Sequence, residues 1–404
     1  LIYIPEWQEK DRQILVFPEE NLTLVLGSDY LGESKKGHLR MAMWNAKKMG
    51  MLGVHAGAKL IRAREAKTGK LRQLSMLLFG LTATGKTTHA CHDHGLNQEG
   101  EGVSIVQDDV VFLRKDGSAL GSERGFYLKT EGLRPDTQPL LYRVATQPDA
   151  VLENALVDYT GQVDFEDETL TSNGRGVVQW RDFGPAKAPE PNLPPLSEVD
   201  GLIIAFITRR NTVVPIASRL SVEQAAATFM LGESIESSGG DPKRVGESVR
   251  VVGTNPFIMG DEAEEGNRFL EFLDHYGQKV SCYLLNTGGV GEIAERQADG
   301  TRVARQKVTR VQIPEMAAII RGIARGSIEW EEDLLFGTQV PAKAEGVELE
   351  RFRLSRYYSP EQIQTFARQL AEERISYLEQ FPGLNARIAA AVKASASCLP
   401  HHVP

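Results

Sequence analysis

The sequence predicts an α/β fold in which a sheet carries a phosphate-binding site at one strand end. Three observations lead there. Short apolar runs alternate with helical stretches along the 404 residues, the pattern of strands and helices layered on one core. One run, Leu74–Phe79, passes through Gly80-Leu-Thr-Ala-Thr-Gly85-Lys86-Thr87-Thr88 into a helix start, which fits G-x-x-x-x-G-K-[ST]. A second run, Val103–Gln107, ends in Asp108-Asp109, where phosphate-loop proteins place the acid that holds Mg²⁺.

The loop chemistry follows from the residue types. Gly80 and Gly85 let the backbone curl with its N–H groups inward, and the helix start adds positive partial charge. Lys86 reaches the β- and γ-phosphates and Thr87 is placed to ligate the accompanying Mg²⁺. A glycine turn with a solvated lysine is the plainer alternative, and the flanking strand and helix argue against it.

Composition excludes several classes. A net charge of −8 with no basic stripe argues against nucleic acid as the partner. No stretch is long and apolar enough for a membrane span and no signal peptide opens the chain. Cys91, Cys282 and Cys398 lie far apart without a CxxC, which suits a reducing cytoplasm.

Taken in order, residues 1–26 alternate apolar runs with polar turns and read as strands of one sheet. The glycines of Gly27–Gly37 break regular structure, so Lys35-Lys36 is expected on a turn before a helix over His38–Lys48. On composition alone those lysines are a solvated pair. His55 sits in a short strand, where a lone histidine is more often structural than a ligand. Cys91-His92-Asp93-His94 packs its ligands too closely for one tetrahedral metal site. The Asp108-Asp109 strand is expected beside the loop strand. Val163 to Arg175 has hairpin character, and the prolines of 185–199 mark a surface connection. Gly201–Ile207 reads as a buried strand, and Ser221-x-x-Gln224 as a capping box. Val280–Leu285 is a further strand, and Ser359-Pro360 opens a long helix to about Gln380.

These stretches together resemble ATP-dependent phosphoenolpyruvate carboxykinase, over nearly the whole chain. Tyr30-Leu-Gly-Glu-Ser-Lys-Lys36-Gly is similar to that family's Y-A-G-E-M-K-K-G, and Val54-His55-Ala-Gly-Ala to M-H-C-S-A. The phosphate loop is similar to G-L-S-G-T-G-K-T-T, Gln107-Asp108-Asp109 to G-D-D-E, and Tyr127-Leu-Lys129-Thr130 to Y-A-K-T. Leu152-Glu153-Asn154, Ser172-Asn173-Gly-Arg175, Pro215–Leu220 and Leu285–Gly288 are similar to L-E-N, E-N-T-R, P-P-V-S-R-L and V-N-T-G.

The resemblance implies a mixed-sheet, P-loop-containing carboxykinase fold: the remainder of a substrate and metal domain over 1–70, then a mononucleotide-binding domain over 71–404. It implies that oxaloacetate and ATP give phosphoenolpyruvate, CO₂ and ADP. Mn²⁺ is then ligated by Lys36, His55 and Asp109, and Mg²⁺ by Thr87. Lys36 ligates only as the neutral amine, so the metal must depress its pKa. Lys86 and Lys129 neutralise the transferring phosphoryl group. Arg175 faces the substrate carboxylate and Tyr30 lines the substrate pocket. Leu81, Thr82, Ala83, Thr84 and Thr88 complete the phosphate cradle, and Glu153 and Arg310 contact the nucleotide. The chain departs from the family at Ala56, Ala83, Val110 and Met316, and the resemblance implies an N-terminal region upstream of Leu1 with a substrate-binding arginine, which either precedes these residues or is a lost part of the carboxylate site. A kinase acting on another small acid, or a nucleotide-binding relative without turnover, are the alternatives on the same scaffold.

Overall fold

The computed structural model describes residues 1–7, 11–81, 84–167, 169, 174–236, 246–296 and 302–397. Thr82, Ala83, Ser172 and Asn173 lie outside them. The first strands, β1 (Ile2–Ile4), β2 (Gln13–Phe17) and β3 (Leu22–Leu26), form a small sheet in the order β1-β3-β2. The helix that follows, α1 (Leu31–Lys48), starts earlier than expected and takes in Gly32, Lys35, Lys36 and Gly37. Its glycines serve packing, not a turn. A Cβ on Gly37 would meet the Thr23 side chain at 3.0 Å, so the helix gives up some propensity to lie close on the strand.

The strands around the phosphate loop come next: β4 (Leu52–Arg64), β5 (Leu71–Gly80), helix α2 (Lys86–Cys91), β6 (Gly102–Gln107), β7 (Val110–Leu113) and β8 (Ala119–Gly121). Here β4 is much longer than its sequence suggests, and it stands between the loop strand and the aspartates. It pairs antiparallel with β5 from Ala56 to Arg64, and with β6 and β7 on its other edge. A hairpin neighbour in sequence takes the edge of β5 first, which displaces β6 by one strand. The pairing also runs across residue 70.

A flap follows: β9 (Gly125–Lys129), α3 (Pro139–Ala145), β10 (Val151–Glu153), β11 (Leu156–Val157), β12 (Val163–Asp164) and β13 (Arg175–Gln179). The hairpin is β11 with β12, and Arg175 instead opens β13, which lies between β10 and β9. The proline-rich connection is not purely a surface feature. Ala188, Leu193, Leu196 and Val199 are buried, and Leu193 bridges to Ala119. Prolines exclude regular elements there while the apolar residues between them anchor it.

The second half supplies β14 (Gly201–Thr208), β15 (Ala217–Leu220), α4 (Val222–Leu231), β16 (Glu233–Ile235), β17 (Ser248–Arg250), α5 (Glu262–Tyr276), β18 (Val280–Asn286) and β19 (Gly289–Val290). It ends with β20 (Ile293–Arg296), β21 (Arg302–Gln306), β22 (Thr309–Arg310), α6 (Ile313–Arg325), β23 (Glu329–Asp333), β24 (Thr338–Lys343), α7 (Pro360–Leu378) and α8 (Ala386–Ser397). The Ser221 capping box starts α4, and Ser359 with Gln362 starts α7. Among the described residues, ten strands form one mixed sheet, ordered β23-β24-β15-β18-β14-β5-β4-β7-β8 with β6 also on β4. The central trio β5, β14 and β18 is parallel. Alternate residues of β5 serve two cores, Leu77 and Phe79 with Phe206, Phe229 and Phe269 on one face. Met76 and Leu78 pack with Ile319 and Ile320 of α6 on the other. A strand buried on both faces reads as the continuous apolar run seen in sequence.

Candidate active site

The carboxyl ends of the parallel strands open onto a cleft of about 660 Å³, the usual place and size for a ligand in an open α/β sheet. Gly85 adopts φ 98°, a left-handed conformation that lets α2 start directly after the loop. Lys86, its first residue, is nearly buried and places Nζ 2.9 Å from Asp109 Oδ1. Thr87 lines the cleft, and Thr88 donates its hydroxyl to Gln138 Oε1 at 2.8 Å.

Asp109 is the hub. It sits in the break between β6 and β7, opposite the end of β4 that carries His55. His55 Nε2 lies 2.9 Å from Oδ1, and Lys35 Nζ 2.6 Å from Oδ2 and 3.2 Å from Glu123. Burial alone would raise the Asp109 pKa, but Lys86, Lys35 and His55 hold it well below the usual carboxylate range. Burial and the negative charge of Asp109 push Asp108 the other way, and its buried Oδ1 has no hydrogen-bond partner. Lys35 is raised: burial opposes its charge, and Asp109, Glu123 and Asp108 outweigh that.

His55 carries a chemical constraint. Its Nδ1 lies 2.5 Å from the Thr254 carbonyl, which can only accept, so Nδ1 must hold the proton. In the neutral ring Nε2 then points a lone pair at a carboxylate oxygen. Burial and the nearby Lys86 disfavour the protonated ring, against the pull of Asp109. A bound cation could satisfy both atoms. Thr254 itself has φ 53°, a strained position for a β-branched residue and a mark of functional sites.

The opposite wall is the β9–β13 ladder, in which Lys129 and Arg175 are direct partners. Lys129 pairs with Glu131, and the Arg175 guanidinium lies 5.9 Å from the centre of the Tyr127 ring. The Tyr30 pKa is lowered despite burial by its neighbours Tyr127, Arg175 and Lys36. At the far end Leu81, Thr84, Arg310 and Met316 line the cleft with Arg209 and Thr287. The Thr287 hydroxyl donates to the Thr84 carbonyl at 2.7 Å.

One expected ligand lines the cleft with its amine engaged by a neighbour, and two expected positions lie off the cleft walls. Lys36 is turned to Glu33 at 3.2 Å, and its neighbour Lys35 contacts Asp109. Successive helical residues point about 100° apart, so only one faces the aspartate. Glu153 lies behind the wall, accepting from the Tyr127 hydroxyl at 2.8 Å and from the Leu31 N–H at 3.4 Å. Gly80 sits beneath the loop, where a Cβ would strike the Thr84 hydroxyl at 2.5 Å. Reading the sequence undervalued Lys35 and missed Glu123, Arg40 and Phe257. Arg40 was detectable one helical turn after Lys36.

No helix of the described residues is long and apolar enough to cross a membrane. Fold and site together define a phosphate-loop nucleotide-binding protein with a carboxylate–histidine–lysine centre. The chain belongs to the ATP-dependent phosphoenolpyruvate carboxykinase family: the family described as Phosphoenolpyruvate carboxykinase matches residues 6–350. It is 33% identical over 377 residues to Phosphoenolpyruvate carboxykinase (ATP) of Aeropyrum pernix, covering 93% of this chain and 70% of that one. It is 27% identical to the protein of that name from Rhodopseudomonas palustris over 81% of this chain and 55% of the relative. A glycosomal relative of Trypanosoma brucei brucei is 28% identical over 76% of this chain and 58% of its own length.

Proposed function

We propose that this chain decarboxylates oxaloacetate and phosphorylates the resulting enolate with ATP, giving phosphoenolpyruvate, CO₂ and ADP. The observation that carries this is the meeting of Lys86 and His55 on one oxygen of Asp109, at 2.9 Å each. One carboxylate thereby joins the phosphate loop to a metal-type donor pair. In the reaction the C3–C4 bond breaks, its electron pair becomes the enolate, and the enolate oxygen attacks the γ-phosphorus as ADP leaves. Lys86 and Lys129 offset charge on the phosphoryl oxygens, and Arg175 with Tyr30 orients the acid.

The donors suit a divalent cation. His55 Nε2 and Asp109 Oδ1 would hold it, the Asp108 Oδ1 acceptor is unfilled, and the Lys35 and Lys86 ammonium groups stand where cationic charge is wanted. Among the described residues no three His, Cys, Asp or Glu side chains form a set that could hold a metal ion, and a lysine amine would complete the His55–Asp109 pair. Lys36 serves as that amine once released from Glu33. When bound, Mn²⁺ here and Mg²⁺ at Thr87 supply electrophilic stabilisation of the enolate and the phosphates. ATP, oxaloacetate and phosphoenolpyruvate are the small-molecule partners. A coupled assay with oxaloacetate, ATP, Mg²⁺ and Mn²⁺ tests the reading, with phosphoenolpyruvate formation expected. ATP hydrolysis without phosphoenolpyruvate would replace it by a kinase acting on another acid.

A further inference from the structure

Helix α1 presents a third cation to the cleft. Arg40 follows Lys36 by one turn, so the two share a helix face, and both line the cleft. The Arg40 guanidinium carbon lies 6.0 Å from the centre of the Phe257 ring. Phe257 in turn meets the His55 ring edge-on at 5.6 Å. Arg40 therefore stands one aromatic ring away from the His55–Asp109 pair.

The surrounding lysines each have a carboxylate: Lys35 has Asp109 and Glu123, Lys36 has Glu33, and Lys86 has Asp109. Arg40 has no ion pair among the described residues, and its Nη1 is buried without an acceptor. A charged donor withdrawn from water and left unmatched is costly, and a cation–π contact with phenylalanine compensates only part of that. Such a group is retained where a ligand supplies the missing acceptor. The planar fork fits a carboxylate through two parallel hydrogen bonds.

We propose that Arg40 is a substrate-binding residue that grips the carboxylate which the substrate keeps through the reaction. This rests on the carboxykinase reading. The leaving carboxylate is the poorer candidate on physical grounds. A guanidinium there would stabilise charge that decarboxylation must move toward the enolate, binding the ground state better than the transition state. Arg40 and Arg175 thus hold the acid from two sides of the cleft, with the first committed to the retained carboxylate.

The test is Arg40→Met, which keeps an apolar stem on Phe257, with Arg40→Lys as its charged companion. Kd values for phosphoenolpyruvate and for ADP are measured by calorimetry with Mn²⁺, alongside KM for oxaloacetate. The expected result is a rise of about 10- to 100-fold for phosphoenolpyruvate and oxaloacetate, with ADP affinity within about twofold because the phosphate loop is untouched. Arg40→Lys should recover only part of the loss. Unchanged phosphoenolpyruvate affinity in Arg40→Met overturns the proposal, as does a rise in KM for oxaloacetate alone. Should Arg40→Met fail to fold, Arg40→Lys carries the same comparison. If the wild type ignores oxaloacetate yet binds phosphoenolpyruvate through Arg40, the carboxykinase reading falls and the anion site stands. A wild type that binds neither overturns both.

Discussion

Among the described residues, two buried charge clusters are built from different residues. Around Asp109 the cations are Lys35 and Lys86, with His55 on the same carboxylate. Around Glu233 they are three arginines: Arg210 and Arg250 at 3.0 Å and Arg374 at 2.7 Å, with Arg250 also reaching Glu373. The first cluster lines the cleft, and the second is absent from its walls. Arginine stays charged and holds a planar grip, which suits a permanent tie between distant segments. Lysine and histidine can give up protons or exchange partners, which suits a site where a bound phosphate exchanges the partners of a stored counter-ion. Residue choice thus separates a knot from a site.

The sharpest way to break that comparison is to remove a cation from the first cluster. Lys86→Ala should lower turnover of oxaloacetate by about 10²–10³, the scale of one lost transition-state charge contact, while the fold survives. Steady-state kinetics beside a thermal melt decides it. Activity within twofold of wild type would sink the phosphate-loop assignment.

The second cluster should respond oppositely. Glu233→Gln leaves three arginines sharing no buried carboxylate, at a cost of about 3–5 kcal/mol in stability, while nucleotide affinity in the surviving folded protein stays unchanged. Burial opposes the charge of Glu233, but Arg210 and Arg374 hold its pKa well below the usual glutamate range. The wild-type advantage is therefore full above the unfolded pKa near 4.5 and is lost as pH falls through the lowered one. Denaturant titrations of both proteins at pH 7 and at lower pH read this directly. Equal stability at pH 7 would mean that the knot contributes nothing.

What the sequence made legible follows the same division. The phosphate loop was readable because its demands are local: two glycines, a lysine and a hydroxyl at fixed spacing. The central strands were readable because burial on both faces leaves an unbroken apolar run. The start of α1 was not, since Gly32 and Gly37 look like breakers until Thr23 is seen against them. Lys35 and Lys36 are equivalent in one dimension, and only the orientation of the helix gives Asp109 to the former. The Glu233 knot joins segments far apart in the chain, with no motif to announce it.

A third buried cationic site sharpens the contrast, because its lysine has no carboxylate partner among the described residues. Lys59 is fully buried on β4, on the same strand face as His55, and donates to the His89 carbonyl at 2.5 Å and to the His92 carbonyl at 3.5 Å. It also meets His94 Nε2. These carbonyls close α2, so the ammonium sits at the negative end of the helix that carries Lys86. Gly57 makes the approach possible, since a Cβ there would meet Ala90 at 2.9 Å. Burial lowers the Lys59 pKa from 10.5 to about 7, with Cys91 and Asp93 only partly opposing it. Below about pH 7 both folded and unfolded chains hold the proton, and the cost of burying the charge is constant. Between about 7 and 10.5 the unfolded chain binds more protons than the folded one, so stability should rise with pH across that window. Lys59→Met removes the titrating group while keeping an unbranched chain of similar length. Its unfolding free energy should be flatter than the wild type's from pH 7 to 10. An identical slope in the two proteins would show that Lys59 keeps an ordinary pKa, and that helix carbonyls alone suffice to bury a lysine as an ammonium.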